Sequence, residues 1–165
     1  MLASIEKIEG RNIACFRRQF KQPIETVWAV LTQNDQLQMW MPNLQVEDLR
    51  SGGTIKFNMN NGTGSAFDIK IRKCRENSIL DYEWGNGWIR FELYPNTSGC
   101  LLVVKELINT MNEHTSKDLA GWHICLDMLI DLLNGKIHPE FSKENWKKRY
   151  DQYVILIKQA DKRDK

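Results

Sequence analysis

The sequence lacks any long apolar run, and none of its stretches approaches the ~20 residues that a membrane-spanning helix needs. Residues 1–10 also lack the apolar segment of a secretory signal. With 42% hydrophobic and 27% charged residues in 165 positions, the composition is ordinary for a globular protein. We therefore expect a cytoplasmic protein without a membrane partner, folded as a single domain over residues 1–165.

Cysteines are few, and no two of them form a CxxC pair. The four are widely spaced along the chain: Cys15, Cys74, Cys100 and Cys125. Each falls within a predicted strand or helix rather than a loop. This placement favours buried thiols over disulfides.

Histidines are fewer still, and the three present are His114, His123 and His138. None lies in a nucleophile motif such as Gly-x-Ser-x-Gly. His123 and Asp127 are four residues apart in a predicted helix, so they form either a helical pair or part of a solvated polar stripe, which we favour. No second ligand cluster accompanies them, so we expect neither a metal nor a cofactor.

An excess of charge is also missing, since the formal net charge is +2. The one basic cluster, Lys143 with 147–149, lies near Trp146 and Tyr150 in the last predicted helix. Acidic residues are interspersed there and weaken its field. We therefore expect no nucleic-acid partner.

The dominant feature is a helical pattern from Ser116 to Gly135, with Ser116 as a candidate N-cap and Gly135 as the residue after the helix. Its polar residues form one narrow stripe: Ser116, His123, Asp127, Asp131 and Asn134. Apolar residues fill most of the remaining circumference, so other elements must cover this helix on more than one side.

Before the long helix, the pattern predicts mainly strands. A first strand over Arg11 to Lys21 is followed by a helix after Pro23 and a second short helix from Asp35 to Met41, which Pro42 ends. Alternating apolar and polar residues then predict an antiparallel meander that closes with a strand from Cys100 to Leu107.

After the long helix, residues 137–141 are predicted to form a connector, and a second helix follows at about 142–160. We expect this helix to pack on the remaining apolar side of the long helix, with the charged final six residues frayed. The domain would then have a core at about 11–135 and a C-terminal helical extension.

Specific residues in this order resemble a known family. Arg18 to Pro23, Val27-Trp28, Leu31-Thr32, Leu37 and Trp40 to Pro42 resemble the N-terminal signature of the activator of heat-shock-protein-90 ATPase homologues. Gly121-Trp122 with the leucines that follow is similar to that family's late helix. The resemblance is to bacterial-type single-domain members of the SRPBCC, or START-like, superfamily.

This resemblance implies an α+β helix-grip fold of the Bet v 1 and START type. A curved antiparallel sheet would wrap around the long helix, with two short helices after the first strand and an elongated cavity inside. The residues expected to line that cavity are Trp40, Phe57, Met59, Phe67, Ile69, Tyr82, Trp84, Phe91, Trp122 and Leu126.

The family pattern also places an inward acidic residue at the end of the last strand, where Glu106 lies in this sequence. An inward Glu106 would be the polar anchor of the cavity, with Arg18, Tyr82 or Arg90 as partners. Periodicity alone leaves a structural salt bridge or an outward side chain equally open, because this strand is apolar on both faces.

Two functional hypotheses follow. The first is non-catalytic binding of a hydrophobic or aromatic small molecule in the cavity, and the alternative is a protein-interaction module of the chaperone-activator type. An enzyme of the cyclase or dehydratase kind is disfavoured because only Glu106 and Tyr82 are candidates for acid–base catalysis. The sequence leaves the ligand and the oligomeric state open.

Overall fold

A computed structural model describes residues 1–136 and 139–164, so the predicted connector at 137–141 lies partly outside the described residues. The elements in chain order are β1 (Ser4–Ile8), β2 (Arg11–Phe20), α1 (Ile24–Thr32), α2 (Asn34–Trp40), β3 (Leu44–Asp48), β4 (Thr54–Asn58), β5 (Ala66–Arg75), β6 (Ile79–Trp84), β7 (Gly87–Asn96), β8 (Gly99–Ile108), α3 (Glu113–Leu133) and α4 (Lys143–Arg163).

The strands of the described residues form one antiparallel eight-stranded sheet in the order β1-β2-β8-β7-β6-β5-β4-β3. Register across its centre aligns apolar residues on one face: Phe16 opposes Val104, and Phe91 opposes Val104 from the other side. All three side chains are buried. The curved sheet holds α3 against this apolar face, which confirms the predicted helix-grip fold.

Two strands were not predicted, and both are short edge strands. In β1 only Ile5 is buried, and in β3 only Leu44 is. Such strands carry too few apolar residues to show a clear alternation. The predicted first strand is therefore β2, and the core begins before residue 11.

Helix α3 begins earlier than predicted. Asn112, not Ser116, is the N-cap, and its side-chain oxygen accepts hydrogen bonds from the backbone N–H groups of His114 and Thr115. The predicted end is confirmed by Gly135, whose φ of +94° suits glycine. Its N–H donates to the Leu132 carbonyl at 3.1 Å, and Lys136 N–H donates to the Asp131 carbonyl at 2.9 Å, as in a Schellman motif.

The cysteines lie within the predicted strands and the long helix, but only two of the four are fully buried. Cys15 and Cys100 are buried in β2 and β8, whereas Cys74 and Cys125 are half-buried in β5 and α3; all four are free thiols.

Helix α4 packs on α3, as predicted, but the side that it covers includes part of the polar stripe. Ser116 and His123 are buried, so the interpretation of His123 as a solvated residue is wrong. The physical reason is a hydrogen-bonding partner: the Tyr153 hydroxyl of α4 lies 2.7 Å from His123 Nδ1. Burial, with Arg18 and Arg149 nearby, lowers the pKa of His123 to about 3. The ring is therefore neutral, and it shares a hydrogen bond with the Tyr153 hydroxyl.

The same hydroxyl connects α4 to the N-terminal strand region. Ala3 N–H donates to the Tyr153 oxygen at 3.0 Å, and the Tyr153 side chain is fully buried. Farther along, the Asp164 carboxylate accepts hydrogen bonds from Lys7 at 2.9 Å and Asn12 at 2.8 Å. The predicted fraying of the last six residues is therefore wrong for the described part, because α4 continues to Arg163.

We predict that Tyr153→Phe destabilises the protein by about 1–3 kcal/mol, because both Ala3 N–H and His123 Nδ1 lose their partner in a buried position. Urea denaturation measures the free energy of unfolding. Tyr94→Phe is the control, since its hydroxyl donates to Glu92 from a side chain that is 48% exposed. Equal, small effects in both variants would contradict the role given to Tyr153.

Candidate functional site

An aromatic cluster fills the space between the sheet and α3. Tyr82 on β6, Phe91 on β7 and Trp122 on α3 are all buried. The Trp122 ring centroid lies 5.9 Å from that of Phe91 and 5.0 Å from that of Trp84, both in edge-on geometry. These contacts fix the position of α3 over the centre of the sheet.

The cluster continues outward to the protein surface. Trp84 is half-buried, and its ring centroid lies 5.9 Å from that of Phe57, which in turn stacks on Phe67 at 5.0 Å. Phe67 is 53% exposed. A continuous line of rings therefore leads from solvent to the buried Trp122.

The outer end of this line lies where two neighbouring strands separate. Pairing between β5 and β6 stops at Ile71 and Tyr82 after a bulge, and Lys70 N–H donates to the Glu83 carboxylate at 3.1 Å. The separation leaves a cleft of about 420 Å³. It is lined by Phe57, Phe67, Asp68, Ile69, Glu83, Trp84 and Gly85.

A carboxyl pair, the buried Glu106 and the half-buried Asp118, lies at the inner end. Glu106 on β8 opposes Ala14 and Ile89, so it shares their inward face and is 4% exposed. Burial raises the pKa of Glu106 well above its ordinary value, and a hydrogen bond to the Asp118 carboxylate raises it further. Both effects favour the protonated form of Glu106, whose O–H can donate to Asp118.

Both central tryptophans point an indole nitrogen at this pair. Trp84 Nε1 donates to Asp118 Oδ1 at 3.3 Å. Trp122 lies close enough to Glu106 to favour its charged form, yet among the described residues Trp122 Nε1 has no partner of ordinary hydrogen-bond geometry. Its N–H is a buried donor beside an acid that is largely neutral.

A second cleft, of about 250 Å³, opens from the carboxyl pair to solvent between the β6–β7 turn and the start of α3. Glu106, Asp118 and His114 line it, together with Trp84. Trp84 and Gly85 line both clefts, so the two clefts are adjacent.

Two of the predicted partners of Glu106 are elsewhere. Arg90 faces outward, with Nη1 3.2 Å from Asp81 and Nε 2.8 Å from Glu92. Arg18 is buried but donates to the Arg17 carbonyl and lies near Asp127 and α4. Of the three, only Tyr82 is close to Glu106. The charge of Glu106 contributes to raising the pKa of the Tyr82 hydroxyl. Asp118 takes their place.

Asp118 was not predicted, although the sequence contains a signal for it. It lies one helical turn before Trp122 and so projects from the same side of α3. The predicted polar stripe lies on the opposite side of that helix.

The structure distributes the other predicted cavity residues unevenly. Ile69 and Leu126 are buried near the aromatic cluster's apolar core, whereas Met59 is 44% exposed in the loop after β4. Trp40 is buried, and its Nε1 donates to the Val30 carbonyl at 2.9 Å, which ties α2 to α1. Trp40 therefore has a clear structural role.

Neither a metal cluster nor a membrane span was found where the chain is described. No three His, Cys, Asp or Glu side chains among residues 1–136 and 139–164 are grouped to hold a metal ion. No helix within those ranges is both long and apolar enough to cross a bilayer.

Residues 21–134 match the family described as Activator of Hsp90 ATPase homolog 1-like protein. The chain belongs to this family. The match spans α1 through α3, and therefore includes Trp84, Glu106, Asp118 and Trp122. It leaves β1, β2 and α4 outside. No curated protein matches the chain.

Several solved structures share the fold of this chain. A conserved protein of unknown function from Enterococcus faecalis has a TM-score of 0.82 and 22% identity, covering 95% of this chain and 91% of its own. CalU16 from Micromonospora echinospora has a TM-score of 0.74 and 19% identity over 94% and 95%. The Aha1 dimer from Colwellia psychrerythraea has a TM-score of 0.64 and 21% identity over 76% and 98%.

We predict that Glu106→Gln leaves the protein as stable as the wild type or more stable at neutral pH. A raised pKa in the folded state means that the stability from protonated Glu106 is complete below the unfolded value, near 4.5, and is lost as pH rises through the folded value. Glutamine keeps the shape of the side chain and a donor to Asp118, and it does not ionise. The free energy of unfolding should therefore rise by on the order of 1 kcal/mol relative to wild type, and this difference grows with pH.

Glu92→Gln is the matched control on the outer face, where Lys105 and Arg90 lower the pKa of Glu92 against the opposing effect of burial. It should destabilise the protein at neutral pH. Thermal melts at pH 4, 6 and 8 compare the two variants, and a Glu106→Gln variant that is less stable than wild type at pH 8 would exclude the buried neutral carboxyl.

Proposed function

We propose that this protein binds a hydrophobic or aromatic small molecule without transforming it, at a site centred on Trp84. The supporting observation is the continuous line of rings from exposed Phe67 to buried Trp122, which ends at the Glu106–Asp118 pair. An apolar surface with a few polar groups at one end is typical of a ligand site.

The dimensions fit a ligand of moderate size. The cleft beside Phe67 has a volume of about 420 Å³, which lies within the usual range for such sites, ~300–1,000 Å³. The exposed Phe67 ring offers a face on which an aromatic ligand can stack, and such ring pairs contribute about 0.5–1.5 kcal/mol beyond the buried area.

The inner carboxyl pair acts as the polar anchor in this proposal. Glu106 presents a protonated oxygen and Asp118 an acceptor, both at the end of the second cleft. Binding requires only that these groups orient the ligand, and no covalent step is invoked.

The proposal can be tested with Phe67→Ala, using 2-naphthalenemethanol as a neutral aromatic probe. Removing the stacking face should weaken binding about five- to tenfold, as measured by calorimetry and by quenching of tryptophan fluorescence. Phe141→Ala is the control, because Phe141 is a similarly exposed phenylalanine (47%, against 53% for Phe67) away from the site. Absence of binding to the wild-type protein, or an equal effect of the two substitutions, would refute the site.

A protein-interaction module of the Hsp90-activator type is the second candidate. The exposed side chains of Phe67 and Met59 support it, because adjacent apolar groups on a surface are typical of contact sites for proteins. The family description points the same way. The two side chains flank the β4–β5 loop and would contact the partner directly.

Native mass spectrometry of freshly purified protein separates the two candidates. A small-molecule adduct that Phe67→Ala diminishes and Phe141→Ala retains supports the ligand site. A protein without an adduct that captures purified Hsp90, with capture lost in Phe67→Ala, supports the interaction module instead.

A further inference from the structure

The two clefts beside Trp84 are both lined by acidic side chains. Asp68 and Glu83 line the outer cleft, and Glu106 and Asp118 line the inner one, where His114 also lies. No lysine or arginine is among the described residues that line either cleft. This is a local acidic field on a protein whose formal net charge is +2.

We infer that the ligand of this site is a hydrophobic organic cation, with an aromatic or apolar body along the Phe67–Trp84 line and a protonated amine held by the Glu106–Asp118 pair. The inference rests on the proposed small-molecule site and specifies the chemical class that it takes. Aromatic faces beside the acids favour the same ligand, because ring quadrupoles attract cations.

Trp122 places a further hydrogen-bond donor beside Glu106. Its Nε1 has no partner of ordinary hydrogen-bond geometry among the described residues, and the residue is only 2% exposed. The indole lies beside the Glu106 carboxyl. A buried N–H without a partner is costly, and an ionised carboxylate is a much stronger acceptor than a neutral acid. A ligand cation supplies the charge that stabilises ionised Glu106, and ionised Glu106 in turn satisfies Trp122.

Binding is therefore coupled to the release of one proton. In the free protein Glu106 is protonated and faces Asp118, and in the complex the ammonium N–H groups take the place of that proton, which leaves to solvent. The other titratable groups around Glu106 are His114 and Cys125 on α3 and Tyr82 on β6. Burial raises the pKa of the Cys125 thiol to about 12 and also raises the pKa of Tyr82, so neither competes as the proton donor near neutral pH.

Three probes with one ring system test the charge preference: 2-naphthylmethylamine, 2-naphthalenemethanol and 2-naphthoate. The ammonium should bind about tenfold or more tightly than the alcohol, because it makes charged hydrogen bonds to the pair. The carboxylate should bind weakest. Calorimetry in buffers with different ionisation enthalpies should show release of up to one proton for the ammonium and none for the alcohol.

Glu106→Gln and Asp118→Asn should each remove the preference for the ammonium, so that within each variant the ammonium and the alcohol bind with affinities within about twofold of each other. Glu144→Gln, an exposed acid on α4, is the control and should change neither affinity. Because the alcohol reports on the apolar site in every variant, a misfolded protein is distinguished from one that has lost only the charge preference.

Equal binding of ammonium and alcohol, or tighter binding of the carboxylate, would overturn the cation assignment while leaving the small-molecule site intact. Failure of all three probes would overturn the site and the assignment together. Ammonium preference with no proton release and no effect of Glu106→Gln would place the cation elsewhere and also contradict the inference.

Discussion

The packing of Trp122 between the sheet and the rest of α3 is the contact on which the site depends. Its ring lies edge-on to both Trp84 and Phe91, and this contact sets the rotation of α3 on the curved sheet. Asp118, one turn earlier, is thereby placed against Glu106 of β8. A rotation of α3 by one residue would separate the two carboxyls, so packing of apolar rings determines where the polar chemistry of the site lies.

The opposite side of α3 is held by a different kind of interaction. There α4 covers Ser116 and His123, which belong to the predicted polar stripe. The Tyr153 hydroxyl joins His123 to the backbone at Ala3. Burial of a neutral histidine is possible because its ring nitrogen has a hydrogen-bond partner. Helix α3 is thus held by aromatic packing on one side and by a buried polar contact on the other. Two members of that contact, Ala3 and Tyr153, lie outside the part of the chain that matches the family.

The main elements of the fold were predictable because they have strong periodicity: the meander alternates, and α3 is apolar around most of its circumference. Their arrangement as a helix-grip fold was implied by the family resemblance. The edge strands β1 and β3 were missed because each buries a single residue. The inward position of Glu106 came from the family resemblance, since β8 is apolar on both faces. The prediction of Arg18 or Arg90 as the partner of Glu106 was wrong. Side-chain partners depend on how elements far apart in sequence are rotated against each other. No local pattern encodes that rotation.

The central claim is that Glu106 is a buried, protonated carboxyl beside Asp118. An NMR titration that follows the side-chain carboxyl carbon of Glu106 tests it most directly, with Asp118→Asn as the companion variant. The account predicts a midpoint well above the ordinary value of 4.5 and a lower midpoint in Asp118→Asn, because the neighbouring carboxylate contributes to raising the pKa. A midpoint near 4.5 that does not respond to Asp118→Asn would show that Glu106 is hydrated and that the pair does not form.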